Sequence, residues 1–218
     1  MAASDMTLAE MRAALAGPIA DNAAFDGWCN VAVDTAAASL GINPASARLA
    51  FSGGAMDMID AWIGSIDGAM AAQLPTSELA ALPIRERIRR LVQFRLGAMA
   101  QGRESLRRAL AVMAMPQNLA RTVQFGWRSA DVMWRLAGDT ATDYNHYTKR
   151  AILGSIYAAT LAIYVGDESE NFADTAAFLD RRIEGIMRFE KAKARLLKSS
   201  DQHFSPSRFL GRLRYPSR

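Results

Sequence analysis

Glycine and proline break this chain at short intervals, and between the breaks almost every stretch favours helix. Ala, Leu, Met and Arg are abundant and Val, Ile and Thr sparse, a balance that suits helix over strand. No alternating run is convincing as a strand, so the expected fold class is all-α. Leu8 to about Asn22 reads as the first helix, and Phe25-Asp26-Gly27-Trp28 as a break. A second helix runs from about Asn30 to Leu40 and stops at Gly41, where a left-handed conformation costs Gly nothing. Asn43 then caps a short helix with Pro44 at its first position, reaching about Phe51 before Ser52-Gly53-Gly54.

Further helices are expected from Ala55 to Leu74 and, after a loop bracketed by Pro75 and Pro83, from Ile84 to about Gly102. Two more run from Arg103 to Met115, before Pro116, and from Leu119 to Ala137, before Gly138. Thr142-Asp143 caps a long apolar helix ending at Gly166, and the last long helix spans about Glu170 to Lys198. The domain expectation is a helix-turn-helix-like module over 1–53, a larger helical bundle over 54–198, and a linker and tail over 199–218. A small helical module before a larger one looks like the TetR repressor architecture.

The chain has 218 residues, half of them hydrophobic, enough for a sizeable core. Its longest apolar run, Ala109 to Met115, is far short of the roughly 18 residues a membrane span needs. Asp5 and Glu10 near the start, with no apolar region after a basic start, argue against a secretory signal or Arg-rich transit peptide. Cys29 is the single cysteine, so no intrachain disulfide can form. The net charge of +4 is uneven: residues 188–218 carry nine basic and two acidic side chains, while the remainder is net negative. Such a basic block attracts anionic lipid head groups or nucleic acid.

Nucleic acid is the poorer fit. A recognition helix must neutralise phosphates and reach base edges. Arg48 is the single basic residue between Trp28 and Gly54, and Asp34 offsets it. The cluster Arg85, Arg87, Arg89, Arg90 and Arg95 reads as a solvated helix face. His146 and His203 lack ligand-spaced partners, so no metal is expected, and no nucleophile elbow or phosphate-binding loop occurs. Asp139 and Asp143 read as loop and N-cap residues, not an acid/base pair. No catalytic residue is assigned and no enzyme activity is expected. At the C-terminus, Ser205 and Pro206 can start a short helix whose apolar arc holds Phe209, Leu210 and Leu213, with Arg208 and Arg212 flanking it and Phe204 just before. About ten residues will not stay helical alone in water, but such an arc folds on a membrane surface.

Residues 137–150 form a polar turn that opens into the long helix carrying Ile156, Tyr157 and Leu161. The string Ala137-Gly138-Asp139, Asp143-Tyr144-Asn145, Tyr147-Thr148-Lys149-Arg150 resembles the Coq-nine family of ubiquinone-biosynthesis accessory proteins. Gly27-Trp28, Phe51-Ser52-Gly53-Gly54, Pro116-Gln117-Asn118, Trp134 and Phe178-Leu179-Asp180-Arg181-Arg182 extend the resemblance. It implies a TetR-like fold without DNA binding, and a homodimer that holds an isoprenoid lipid in the larger domain. It also implies docking on the membrane through the C-terminal helix and presentation of the lipid to the demethoxyubiquinone hydroxylase. No cofactor is expected beyond that bound isoprenoid lipid. Flexible Met and aromatic side chains on the larger domain's helices then become the candidate lipid wall: Phe94, Met99, Met113, Phe125, Met133, Ile156, Tyr157 and Leu161. Trp134 matches the family's partner-patch Trp, with Asp131 near its acidic position and Arg135 where an aromatic is frequent. The expected location is cytoplasmic, peripheral on the inner face of a bacterial inner membrane.

Overall fold

The computed structural model describes residues 6–140 and 144–186. Described residues are helical or in turns, and the chain divides into two compact units, residues 1–175 and 176–218. The first unit holds α1 (Leu8–Asp26), α2 (Asn30–Ser39), α3 (Pro44–Ala50), α4 (Ala55–Gln73), α5 (Thr76–Leu79), α6 (Ile84–Ala98), α7 (Arg103–Met113), α8 (Leu119–Leu136) and α9 (Tyr144–Tyr164). Residues 173–186 are also helical.

Local chemistry explains most of the boundaries. Thr7 and Glu10 form a reciprocal capping box, with the Glu10 carboxylate accepting from the Thr7 amide at 2.7 Å. That helix runs past the expected end at Asn22, because Ala23 is fully buried and a positive φ is first met at Gly27. Gly41 turns at φ +65, and the Asn43 side chain accepts from the Ala45 and Ser46 amides, as the sequence pattern requires. The Arg-rich helix ends at Ala98 instead of Gly102. Buried Met99 leads a succession of tight turns that reaches Gly102. The short α5 was not expected. The stretch expected to be helical from Glu170 begins instead with a 3₁₀ turn over Glu170–Phe172, with Asn171 and Phe172 at positive φ. Residues 187–198, the tail 199–218 and the Thr142-Asp143 cap lie outside the described residues.

α1 packs against α2, α3, α4 and α7. The α1–α3 core is built from small side chains, with Ala32, Ala36, Ala37 and Ala47 fully buried. Its join to the rest of the unit is specific. The Trp28 indole donates to the Ser105 carbonyl at 3.0 Å and lies 5.4 Å from the Trp62 ring, while the Ser105 hydroxyl donates to the Ala20 carbonyl at 2.5 Å. The chain thus ties α1 and the α1–α2 turn to α7 through a buried aromatic pair and two hydrogen bonds. Trp28→Ala is expected to destabilise the protein by about 3–5 kcal/mol, and Trp28→Phe by about 1 kcal/mol through loss of the indole hydrogen bond. Urea unfolding of both variants measures the two contributions.

Candidate functional site

Helices α4 and α6–α9 enclose a cavity of about 270 Å³. Ile59, Trp62, Ile63 and Ile66 line it from α4, and Leu106, Ala109, Leu110 and Met113 from α7. α8 contributes Leu119, Thr122, Phe125, Gly126 and Ser129, and α9 contributes Gly154, Tyr157, Ala158 and Leu161. Ala114 and Leu119 on this wall are solvent-exposed, so the cavity opens at the α7–α8 connection. At one point α8 and α9 approach almost backbone to backbone. A β-carbon added at Gly154 would sit 3.7 Å from the Gly126 carbonyl oxygen and 3.9 Å from the Ala130 β-carbon.

Of the residues proposed from sequence as a lipid wall, Met99, Met113, Phe125, Tyr157 and Leu161 line the cavity. Phe94, Met133 and Ile156 do not; Met133 and Ile156 are buried in packing elsewhere, and Phe94 is half-buried. Periodicity identifies the apolar face of a helix but not which part of it meets a void.

Arg95 corrects the reading of the Arg cluster as solvated. It lies on the buried stripe of α6 with Ile88, Leu91 and Val92, and is 2% exposed. Its guanidinium pairs with Asp67 of α4, donates from Nε to the Tyr157 hydroxyl at 2.9 Å, and from Nη2 to the Ser129 hydroxyl at 3.0 Å. It also lies 4.9 Å from the centre of the Tyr157 ring. Arg87, also assigned to solvent, donates to the Leu82, Ala80 and Ala137 carbonyls and so ties the α8 terminus to the loop before α6. The signal for Arg95 was present: it falls four residues after Leu91 and seven after Ile88.

The polar string after α8 is a charge latch. Asp139, read as a loop residue, is a buried counter-ion: it accepts from Lys149 at 2.6 Å and from Arg150 at 3.1 Å. Arg150, 2% exposed, also donates to Asp131 at 2.6 Å and to the His146 carbonyl at 3.1 Å. Burial alone would raise the Asp139 pKa, but hydrogen bonds and charge from Lys149 and Arg150 outweigh it and hold the carboxyl below its ordinary range.

The candidate partner residues sit on this latch. The Trp134 indole donates to the Lys149 carbonyl at 3.0 Å beneath the Lys149 ammonium, and Asp131 bridges Arg150 and the largely exposed Arg135. Trp127, seven residues before Trp134 on α8, stacks 5.9 Å from exposed Tyr147. The sequence assigned a partner role to neither, although Tyr147 belongs to the string that resembles the family. Among the described residues, no group of three or more His, Cys, Asp or Glu could hold a metal. No described helix is long and apolar enough to cross a membrane.

The fold is that of the TetR class. The chain is similar to the TetR transcriptional regulator from Nitrosomonas europaea, with a TM-score of 0.63 and 25% identity over 80% of this chain and 96% of that one. Residues 119–190, which contain α8, the latch and α9, match the family model COQ9. The chain is 31% identical over 167 residues to the mitochondrial ubiquinone biosynthesis protein COQ9 of Rattus norvegicus, covering 74% of this chain and 54% of the relative. It is 30% identical to the Homo sapiens protein of the same name, covering 74% and 52%, and 28% identical to that of Schizosaccharomyces pombe, covering 72% and 62%. The chain belongs to the COQ9 family. It spans about half the length of the mammalian relatives it matches.

The latch predicts acid sensitivity. A carboxyl whose folded pKa is depressed contributes stability above its unfolded pKa and loses it as pH falls through the folded value. Unfolding free energy is therefore expected to fall below about pH 4, and Asp139→Asn should flatten that decline. At neutral pH the same variant should cost about 2 kcal/mol, the worth of a hydrogen bond to a charged group, because Arg150 keeps Asp131 as its counter-ion. Denaturant melts across pH 3–7 check both.

Proposed function

We propose that this chain is a non-catalytic, lipid-binding accessory protein of ubiquinone biosynthesis that presents a polyprenylated quinone intermediate to a membrane-associated hydroxylase. The observation that carries the reading is the apolar cavity inside the helical bundle of a COQ9-family chain, open at the α7–α8 connection. Apolar pockets with a few placed polar groups are the usual form of small-molecule sites. Its volume of about 270 Å³ suits a ring and a short length of chain, so a long polyprenyl tail has to continue out through the mouth.

Three further parts complete the reading. The tail residues Phe204, Arg208, Phe209, Leu210, Arg212 and Leu213 bring the protein reversibly to an anionic bilayer surface, the inner face of a bacterial inner membrane. Asp131, Trp134 and Arg135, beside exposed Trp127 and Tyr147, form the surface offered to the hydroxylase; aromatic and Arg side chains are the usual anchors of such contacts. The working unit is a homodimer.

The rival function, a ligand-responsive repressor, draws support from the TetR likeness. Against it stands the one basic residue of the α2–α3 module, Arg48, whose guanidinium is held by Asp34, with Nε donating at 2.7 Å. No duplex binding beyond the non-specific level is expected.

Solvent extraction of the purified protein followed by mass spectrometry tests the central claim. A near-stoichiometric isoprenoid quinone or precursor supports it, and a lipid-free protein that shifts its own upstream DNA specifically would replace it with the repressor reading. Phe209→Ser with Leu213→Ser should abolish most flotation with anionic liposomes, and unchanged flotation removes the tail from the membrane role. Arg135→Ala leaves Asp131 its Arg150 partner, so it should weaken association with the hydroxylase in a pull-down at unchanged melting temperature.

A further inference from the structure

Apart from Thr122, the cavity is apolar except where Arg95 reaches it. There the Tyr157 and Ser129 hydroxyls both accept from the guanidinium, and neither hydroxyl proton has an acceptor among the described residues. Arg95 itself spends one N–H on each of Asp67, Tyr157 and Ser129, which leaves further Nη protons available. Three donors without acceptors thus converge on the wall of a buried apolar cavity, where an unmet donor is costly. They are complementary to an oxygen acceptor on a ligand.

The charge decides what kind of oxygen. The Asp67 carboxylate already compensates Arg95, so a ligand carboxylate or phosphate would bring excess negative charge into a low-dielectric site. A neutral carbonyl, ether or phenol oxygen would not. The geometry also sets the direction of the remainder of the ligand. Ser129 lies ten residues along α8 from exposed Leu119 at the mouth, about 15 Å on a helix. The wall between them, including Phe125 and Met113, is apolar apart from Thr122, whose hydroxyl donates to the Met113 and Asn118 carbonyls.

We infer that the cavity selects a neutral oxygenated ring bearing an apolar chain, bound head first, with a ring oxygen accepting from Tyr157, Ser129 and Arg95 and the chain leaving past Leu119. This rests on the reading that the bundle carries a quinone-like lipid, and adds the residues that meet its ring oxygen and the direction in which it lies.

The test uses the full chain and three probes sharing a ten-carbon tail: decylubiquinone, decylbenzene and decanoate. Quenching of tryptophan fluorescence follows the quinone, since Trp62 lines the cavity, and competition against it measures the other two. Tyr157→Phe, which keeps the ring over Arg95, and Ser129→Ala should each weaken decylubiquinone by about fivefold, the worth of one hydrogen bond, and leave decylbenzene unchanged. On the unmodified protein decanoate should bind no better than decylbenzene. Equal quinone affinity in both variants, or decanoate binding tighter than the quinone, overturns the head-first assignment and leaves the lipid reading standing. Failure of all three probes to bind overturns the lipid reading with it. The decanoate comparison needs no substitution, so it decides even where a variant does not fold.

Discussion

One guanidinium, that of Arg95, is bonded to three other helices at once and fixes how the larger bundle goes together. Asp67 on α4, Ser129 on α8 and Tyr157 on α9 all meet the side chain of Arg95 on α6. A buried charge is unfavourable unless it is paired and its protons are accepted, so the four helices have a single mutual arrangement in which the Arg95 interactions are satisfied. Apolar packing would tolerate small rotations and slides of these helices. The polar centre does not. The cavity beside it keeps its shape because the donors that line it are held by one another, not by flexible Met side chains.

A second charged centre organises the far ends of α8 and α9. Arg150 is held between Asp131 and Asp139, with Lys149 on the other Asp139 oxygen and its backbone carbonyl accepting from Trp134. The α9 C-terminus is treated similarly. Arg103 donates to the Tyr164, Val165 and Asp167 carbonyls, completing acceptors that a helix end leaves unmet. Asp167 accepts in turn from the amides and hydroxyls of Ser169 and Thr175; burial would raise its pKa, but these bonds hold it far below the ordinary carboxylate range. Both ends of α9 are thus fixed by charge, and its middle forms cavity wall.

The fold was largely legible in the sequence because its signals are local. Gly41, Asn43-Pro44, Gly54 and Gly138 act within a turn of where they stand. The site was legible only in part. Met99, Met113 and Tyr157 could be placed on apolar helix faces, but Phe94, Met133 and Ile156 share that character without reaching the cavity. Arg95 and Asp67 each interrupt an apolar stripe, Arg95 after Leu91 and Asp67 between Ile63 and Met70. Two opposite charges on inward faces were a readable hint, yet their pairing spans 28 positions in sequence and belongs to tertiary packing. Asp139 and Arg150 carried the recognisable string of the family, but their mutual ion pair appears only once α9 folds back against α8.

The close approach of α8 and α9 at Gly126 and Gly154 gives the cavity an unusual stretch of wall. Here the lining is peptide backbone, and the surface has no rotamer to change. Anything larger than a methyl group at position 154 must enter either the contact between the helices or the cavity itself. The shape of this part of the wall therefore follows the backbones of α8 and α9, whereas elsewhere it follows the rotamers of the lining side chains.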